Sequence, residues 1–153
     1  MSKIGATPSQ TSTTQLFRLG ERFIDYNGYE YMYTKASAAI GLYDVAFIKS
    51  TYKSAALTDT FAKSGGNLGA ASLVAFAADE YGWLLLRGQG IIKVKASCAA
   101  NVQLYTTATA GSLDDATAST SQLQVQGIIL TSAEAASSAN AVLTFPLVRR
   151  LEI

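Results

Sequence analysis

Asp79-Glu80-Tyr81-Gly82-Trp83-Leu84-Leu85-Leu86-Arg87-Gly88-Gln89-Gly90-Ile91-Ile92-Lys93-Val94-Lys95 is the stretch whose reading decides the fold. It holds the sole tryptophan of a 153-residue chain. Side chains alternate across a strand, so Tyr81, Trp83, Leu85 and Arg87 share one face and Gly82, Leu84 and Leu86 the other. Beyond them Ile92 and Val94 point one way, and Ile91, Lys93 and Lys95 the other. Gly88-Gln89-Gly90 has the backbone freedom of a three-residue hairpin loop. The expectation is a central hairpin: Trp83 anchors the core, the glycine turn sets the register, and Lys93 and Lys95 lie on a solvent or partner face.

Upstream, the same period recurs. Asn27-Gly28 is a strong hairpin signal because both residues tolerate positive φ; it joins residues 22–26 to 29–35. In the second of these strands Tyr29, Tyr31 and Tyr33 share a face, opposite Glu30, Met32 and Thr34. A row of tyrosines suits a carbohydrate platform, but rings packed over a core edge or subunit contact are the commoner outcome. Residues 15–24 carry Leu16, Phe17, Leu19, Phe23 and Ile24, with a bend at Gly20 between two short strands. Residues 42–49 alternate, with Tyr43, Val45 and Phe47 opposite Asp44, Ala46 and Ile48. Residues 52–58 form a weaker strand, and residues 60–69 a loop around Gly65-Gly66-Asn67. That glycine pair lacks the Lys-Ser/Thr of a phosphate-binding loop. The Ala-rich residues 70–78 are assigned to a buried strand.

Downstream, residues 102–106 form a short strand, and residues 107–121 a polar loop with Asp114 and Asp115. These two suit a turn that satisfies local N–H groups better than acid/base or calcium chemistry, since no third ligand follows at loop spacing. Leu123, Val125, Gly127 and Ile129 alternate with Gln122, Gln124, Gln126 and Ile128. Residues 131–140 are a small-residue loop, and residues 141–151 close the domain, with Pro146 demanding an edge or a bulge. Short strands at roughly ten-residue spacing indicate one all-β domain, a β-sandwich or small β-barrel. It spans residues 15–153, and the Ser/Thr-rich residues 1–14 form an extended N-terminal arm.

Composition narrows the function. Charged residues make up 15% of the chain, against about 25% in an ordinary globular domain; so little charge suits a surface that meets other chains. Net charge is +1, which gives no field for nucleic acid and no polybasic membrane signal. Histidine is absent, removing the commonest general base, zinc ligand and nucleophile partner. A lone Cys98 excludes an intrachain disulfide and a thiolate-based metal site, and suits a reducing compartment during folding. No secretory signal or membrane-length apolar run is legible. No catalytic, cofactor-binding or metal-binding residue is assigned, and an enzyme is not expected.

Several segments follow one another in an order that resembles a family. Asp79-Glu80-Tyr81-Gly82-Trp83, Gly88, Lys95-Ala96-Ser97-Cys98-Ala99-Ala100, Leu104-Tyr105-Thr106-Thr107-Ala108-Thr109-Ala110-Gly111-Ser112-Leu113-Asp114-Asp115 and Gly127-Ile128-Ile129 are similar to the small capsid decoration (cement) proteins of tailed bacteriophages. Gly28 before an aromatic strand and Gly66-Asn67-Leu68-Gly69 add to the likeness, which runs from about residue 20 to residue 148. The resemblance implies a structural virion protein on the outer face of the major capsid protein shell, assembled in the host cytoplasm. It implies a homotrimer at threefold and quasi-threefold positions, clamping neighbouring capsid subunits against genome pressure. The family brings no catalytic residues and no cofactor. Competing readings are another virion component, such as a tail or head-fibre protein, and a sugar-binding β-sandwich using Trp83 and the tyrosines.

Overall fold

Alternation at period two, interrupted by glycines and turn clusters, folds into ten strands of one mixed sheet in a computed structural model that describes residues 5–62, 66–116 and 122–149. In chain order they are β1 (Arg22–Ile24), β2 (Glu30–Ala36), β3 (Val45–Ile48), β4 (Lys53–Ala56), β5 (Gly66–Ala70), β6 (Tyr81–Lys93), β7 (Leu104–Thr106), β8 (Leu113–Asp114), β9 (Gln124–Leu130) and β10 (Ser138–Arg149). A single helical turn, Asp59–Ala62, precedes β5. The domain is all-β, as the strand spacing predicts. The sheet curls on itself in the manner of a barrel.

The opening stretch is the spine of this curl, but it is one strand of 13 residues and not a hairpin. Its first half pairs with β2, placing Trp83 opposite Tyr33 and Leu84 opposite Met32. Its second half pairs with β10, from Arg87 opposite Thr144 to Lys93 opposite Ser138. One circuit closes through β2, β4, β3, β5 and back to β6. A second runs from β6 through β10, β9, β7 and β8, and among the described residues meets the end of β6 through a Val94–Leu113 bridge.

The glycines expected to turn the chain instead make room for neighbours. A Cβ on Gly88 would lie 2.6 Å from the Tyr29 ring, and one on Gly90 2.8 Å from Leu85 Cδ2. Beside them the ladder slips: Leu85 faces Tyr31 and Arg87 faces Glu30, so Leu86 is an extra residue on β6. This bulge re-aims the strand. Trp83 and Leu85 before it, and Ile92 and Val94 after it, therefore reach the same buried cluster despite opposite parity. Leu84 and Leu86 enter a second cluster on the other face, with Met32, Ala46, Ile48 and Phe76. Burial on both faces explains the near-continuous apolar run at residues 83–86.

Several local expectations change. Gly66–Ala70 is strand β5 and not loop, because a Cβ on Gly69 would come within 2.9 Å of Leu84 Cβ; the glycine lets two strands approach. Of residues 70–78, expected as a buried strand, Ala70 ends β5 and the rest form no strand, Phe76 alone making an isolated bridge, to Ile40. The 27–28 turn takes positive φ at Gly28 alone. Asp25 caps it, its Oδ1 accepting the N–H groups of Asn27 and Tyr29, both at 2.9 Å. Of residues 15–24 only Arg22–Ile24 is strand; Gly20 does adopt the positive φ of a bend. Residues 42–44 lie outside β3, with Tyr43 at positive φ. The polar loop at residues 107–121 contains β8, and residues 138–140 of the small-residue loop belong to β10.

Candidate functional site

Three places gather the chemistry-bearing side chains. The first is an aromatic cluster. Tyr33 and Trp83 sit side by side in register, ring centroids 5.0 Å apart, and Phe17 and Phe23 close on Trp83 at 5.2 and 5.7 Å. Tyr81 stacks on Tyr33 at 6.2 Å. Burial decides what these rings can do: Trp83 is 4% exposed, and Tyr31 and Tyr33 are buried with it. Packing, the commoner fate of the tyrosine row, holds for Tyr31 and Tyr33, and the half-buried Tyr29 packs against the same core. Burial, reinforced by Asp25 and Tyr29, pushes the Tyr31 phenol up to about 12.

The described part of the arm lies on this cluster. Ser12 forms an antiparallel bridge with Tyr81: its N–H donates to the Tyr81 carbonyl at 2.9 Å, and its carbonyl accepts the Tyr81 N–H at 2.8 Å. Ala6 packs against the core from the same segment. Between the arm and the rings of Phe17, Tyr33, Tyr81 and Trp83 lies a cavity of about 60 Å³.

The second place is Asp44, 5% exposed at the mouth of the first circuit. Its Oδ2 accepts the Gly41 N–H at 2.8 Å, while Oδ1 has no hydrogen-bond partner and faces Lys93 Nζ at 3.5 Å. Lys93 also donates to the Ala110 carbonyl at 3.3 Å, and Lys95 donates to Thr109 Oγ1. The two lysines, expected on a solvent or partner face, reach across the surface to the loop that ends at Gly111. Gly111 lies so close that a Cβ would fall 2.2 Å from Asp44 Cγ. An alternating strand pattern marks Asp44 only as a polar residue among apolar ones. Its partner is 49 residues away in sequence and carries no signal of its own.

The third place joins Cys98 to Asp114 and Asp115. One potential ligand atom from each lies within 4.8 Å of the others. The sequence separates them by 16 residues or more; the Val94–Leu113 bridge brings them together. Both carboxylates serve backbone groups, as a turn requires: Asp114 Oδ1 accepts the Asp115 N–H, and Asp115 Oδ2 accepts the Ala99 N–H, each at 2.9 Å. Tetrahedral zinc sites use four ligands, so a metal here would need one from outside the trio. Cys98 is fully buried, and burial, with the charge of Asp115 next in weight, raises its thiol to about 11.

That shift has a definite consequence. The folded state holds the thiol proton more tightly than the unfolded chain, where the thiol has its ordinary value of 9.0. The associated stability is complete below pH 9 and is lost as pH rises through about 11. Tyr31 adds a loss beginning above pH 10 and ending near pH 12. Urea midpoints measured from pH 7 to 11 are expected to fall above pH 9. Cys98→Ala is expected to flatten the first part of that fall, and an identical pH profile would show that the thiol does not titrate with folding. In the native protein at pH 8 the thiol is expected to resist alkylation.

No protein-family model and no curated protein matches this chain.

Proposed function

We propose that this protein decorates a virus capsid: it binds the outer surface of a major capsid shell and cements neighbouring subunits. The observation that carries the proposal is where the family-like segments fall. The 79–83 and 88 segments lie at or on β6, the 95–100 segment follows it, the 104–115 segment spans β7 and β8, and the 127–129 segment is in β9. These segments lie in the second circuit and on the strand it shares with the first, while the other family-like pieces, Gly28 and Gly66–Gly69, lie between β1 and β2 and in β5.

Two physical features support the reading. Large apolar side chains, among them Leu16, Ile24, Tyr26, Leu73, Ile129 and Phe145, are exposed on a chain with few charges. Such surface suits broad contacts whose cores are depleted of charge. Repetition over a shell would multiply weak individual contacts into avidity. The same strand edges and apolar residues would favour aggregation without a partner to cover them.

The test is co-sedimentation with undecorated shells of the parent particle and, separately, with free capsid subunits. Saturable binding to shells with no binding to free subunits is expected, together with a higher rupture temperature for decorated shells. A protein that ignores assembled shells overturns the proposal; binding confined to tails or fibres assigns it to another virion part.

A further inference from the structure

We propose that Asn27 is a site of covalent modification: its side-chain amide is lost by ring closure with the Gly28 nitrogen, and the turn built on Asp25 sets how fast. The inference concerns this hairpin alone and does not rest on the capsid reading.

Sequence and exposure select the site. Four asparagines occur, and only Asn27 precedes a glycine; Leu68, Val102 and Ala141 follow the other three. A side chain on the following residue crowds the main-chain nitrogen that must attack, and glycine has none. Asn27 is exposed at the tip of the β1–β2 hairpin, and nothing lies within 4 Å of a Cβ position on Gly28, so water and hydroxide reach it. Hydroxide takes the Gly28 amide proton. The nitrogen then bonds to Asn27 Cγ, the bond from Cγ to Nδ2 breaks, and ammonia leaves with a proton from water. The product is a cyclic imide. Water adds to one or other of its carbonyls, giving aspartate or, where the main chain is rerouted through the side chain, isoaspartate. Water is the sole co-reactant.

The fold holds the reacting atoms apart. The Gly28 N–H donates to the Asp25 carbonyl at 3.0 Å, closing a four-residue turn in which Asn27 is third. Asn27 does not take a positive φ, so the turn is of type I. There the third residue has a ψ of about 0°, which sets the Gly28 nitrogen beside Asn27's own nitrogen and away from its Cβ. Ring closure must swing that nitrogen towards the side chain, breaking its bond to Asp25. The same bond favours the protonated amide over the attacking anion. Asp25 Oδ1 adds a second restraint by accepting the N–H groups of Asn27 and Tyr29.

Either product places a new carboxylate beside Asp25 and cancels the net charge of +1. Isoaspartate also lengthens the main chain of a short loop that sets Phe23 opposite Tyr31 and Ile24 opposite Glu30.

The experiment follows the full-length protein at mildly alkaline pH, native and in guanidinium chloride, by peptide mapping over time. In denaturant, Asn27 is expected to convert to aspartate and isoaspartate faster than Asn67, Asn101 and Asn140. Conversion no faster than theirs overturns the site. In the native protein, conversion should be slower by about tenfold or more, the factor that two hydrogen bonds of ordinary net strength confer. Equal native and denatured rates overturn the restraint.

Asp25→Ala removes the acceptor for Asn27 and Tyr29 and is expected to raise the native rate about threefold or more. Asp25→Ser keeps an acceptor oxygen suited to this turn position and should restore most of the restraint. Circular dichroism checks that both variants stay folded, and the two arms on the unaltered chain stand whether or not they do. A folded alanine variant that converts at the original rate overturns the role given to Asp25.

Discussion

Trp83→Ala is expected to destabilise the fold by about 3–5 kcal/mol, the range for removing a large aromatic side chain from a core. The indole is 4% exposed and is the ring against which Phe17, Phe23 and Tyr33 all pack, at centroid distances of 5.0 to 5.7 Å. Those neighbours come from the linker after the arm, from β1 and from β2. Collapse into the vacated space would need all three to shift, so most of the cavity should persist. Aromatic pairs contribute about 0.5–1.5 kcal/mol beyond burial, and three are lost together. Against a total stability of about 5–15 kcal/mol for an ordinary domain, the loss is a large share. Urea denaturation followed by circular dichroism measures it, since the variant has no tryptophan. A change within about 0.5 kcal/mol is what surface sites give, and would contradict the packing described above.

The position of Trp83 was legible because its signal is local. Parity along residues 81–86 assigns each side chain to a face, and burial on both faces agrees with the run of leucines. What failed was the reading of glycine. Gly88, Gly90, Gly66 and Gly69 resemble turn residues when only the chain's own conformational freedom is considered. In the fold they are places where a neighbour comes too close for a Cβ, and for three of them that partner is remote in sequence: Tyr29 for Gly88, Phe47 for Gly66, Leu84 for Gly69, whereas Gly90 meets Leu85 of its own strand. No short window around those three glycines contains this information. The same limit hid Asp44 with Lys93, and Cys98 with Asp114 and Asp115, since strand pairing alone makes each of them neighbours. The expectation that Asp114 and Asp115 serve a local turn holds only in part: Asp114 accepts the Asp115 N–H but ends strand β8, and Asp115 accepts the Ala99 N–H from 16 residues away.

Gly127 tests this account of glycine most sharply. The alternation expected from Leu123 to Ile129 breaks at Gly127: Val125 is buried before it, but Ile128 and Leu130 are buried after it and Ile129 is exposed. The cause lies across the ladder. Ile128 pairs with Leu143 and Gln126 with Leu147, so Thr144, Phe145 and Pro146 arch over the single residue Gly127. Pro146 has no N–H for the ladder, which makes a bulge the way for this proline to lie within β10. Phe145 takes a φ of +46°, an outlier for a bulky residue. Gly127 itself has a φ of +83°, and a Cβ there would lie 2.7 Å from the Thr144 carbonyl oxygen and 2.9 Å from Pro146 Cα. Both obstacles are backbone and cannot rotate away. Gly127→Ala should therefore combine left-handed strain of about 1–2 kcal/mol with overpacking of about 1–3 kcal/mol, giving a loss of about 2–5 kcal/mol. Gly28→Ala supplies the control: its φ is +81°, almost the same, yet nothing lies within 4 Å of its Cβ position. It should show the strain alone, about 1–2 kcal/mol. Urea midpoints at unchanged slope compare the two directly. A clearly larger loss at Gly127 identifies the arch as the reason for glycine there, whereas equal losses would mean that β10 yields and that φ alone selects the residue.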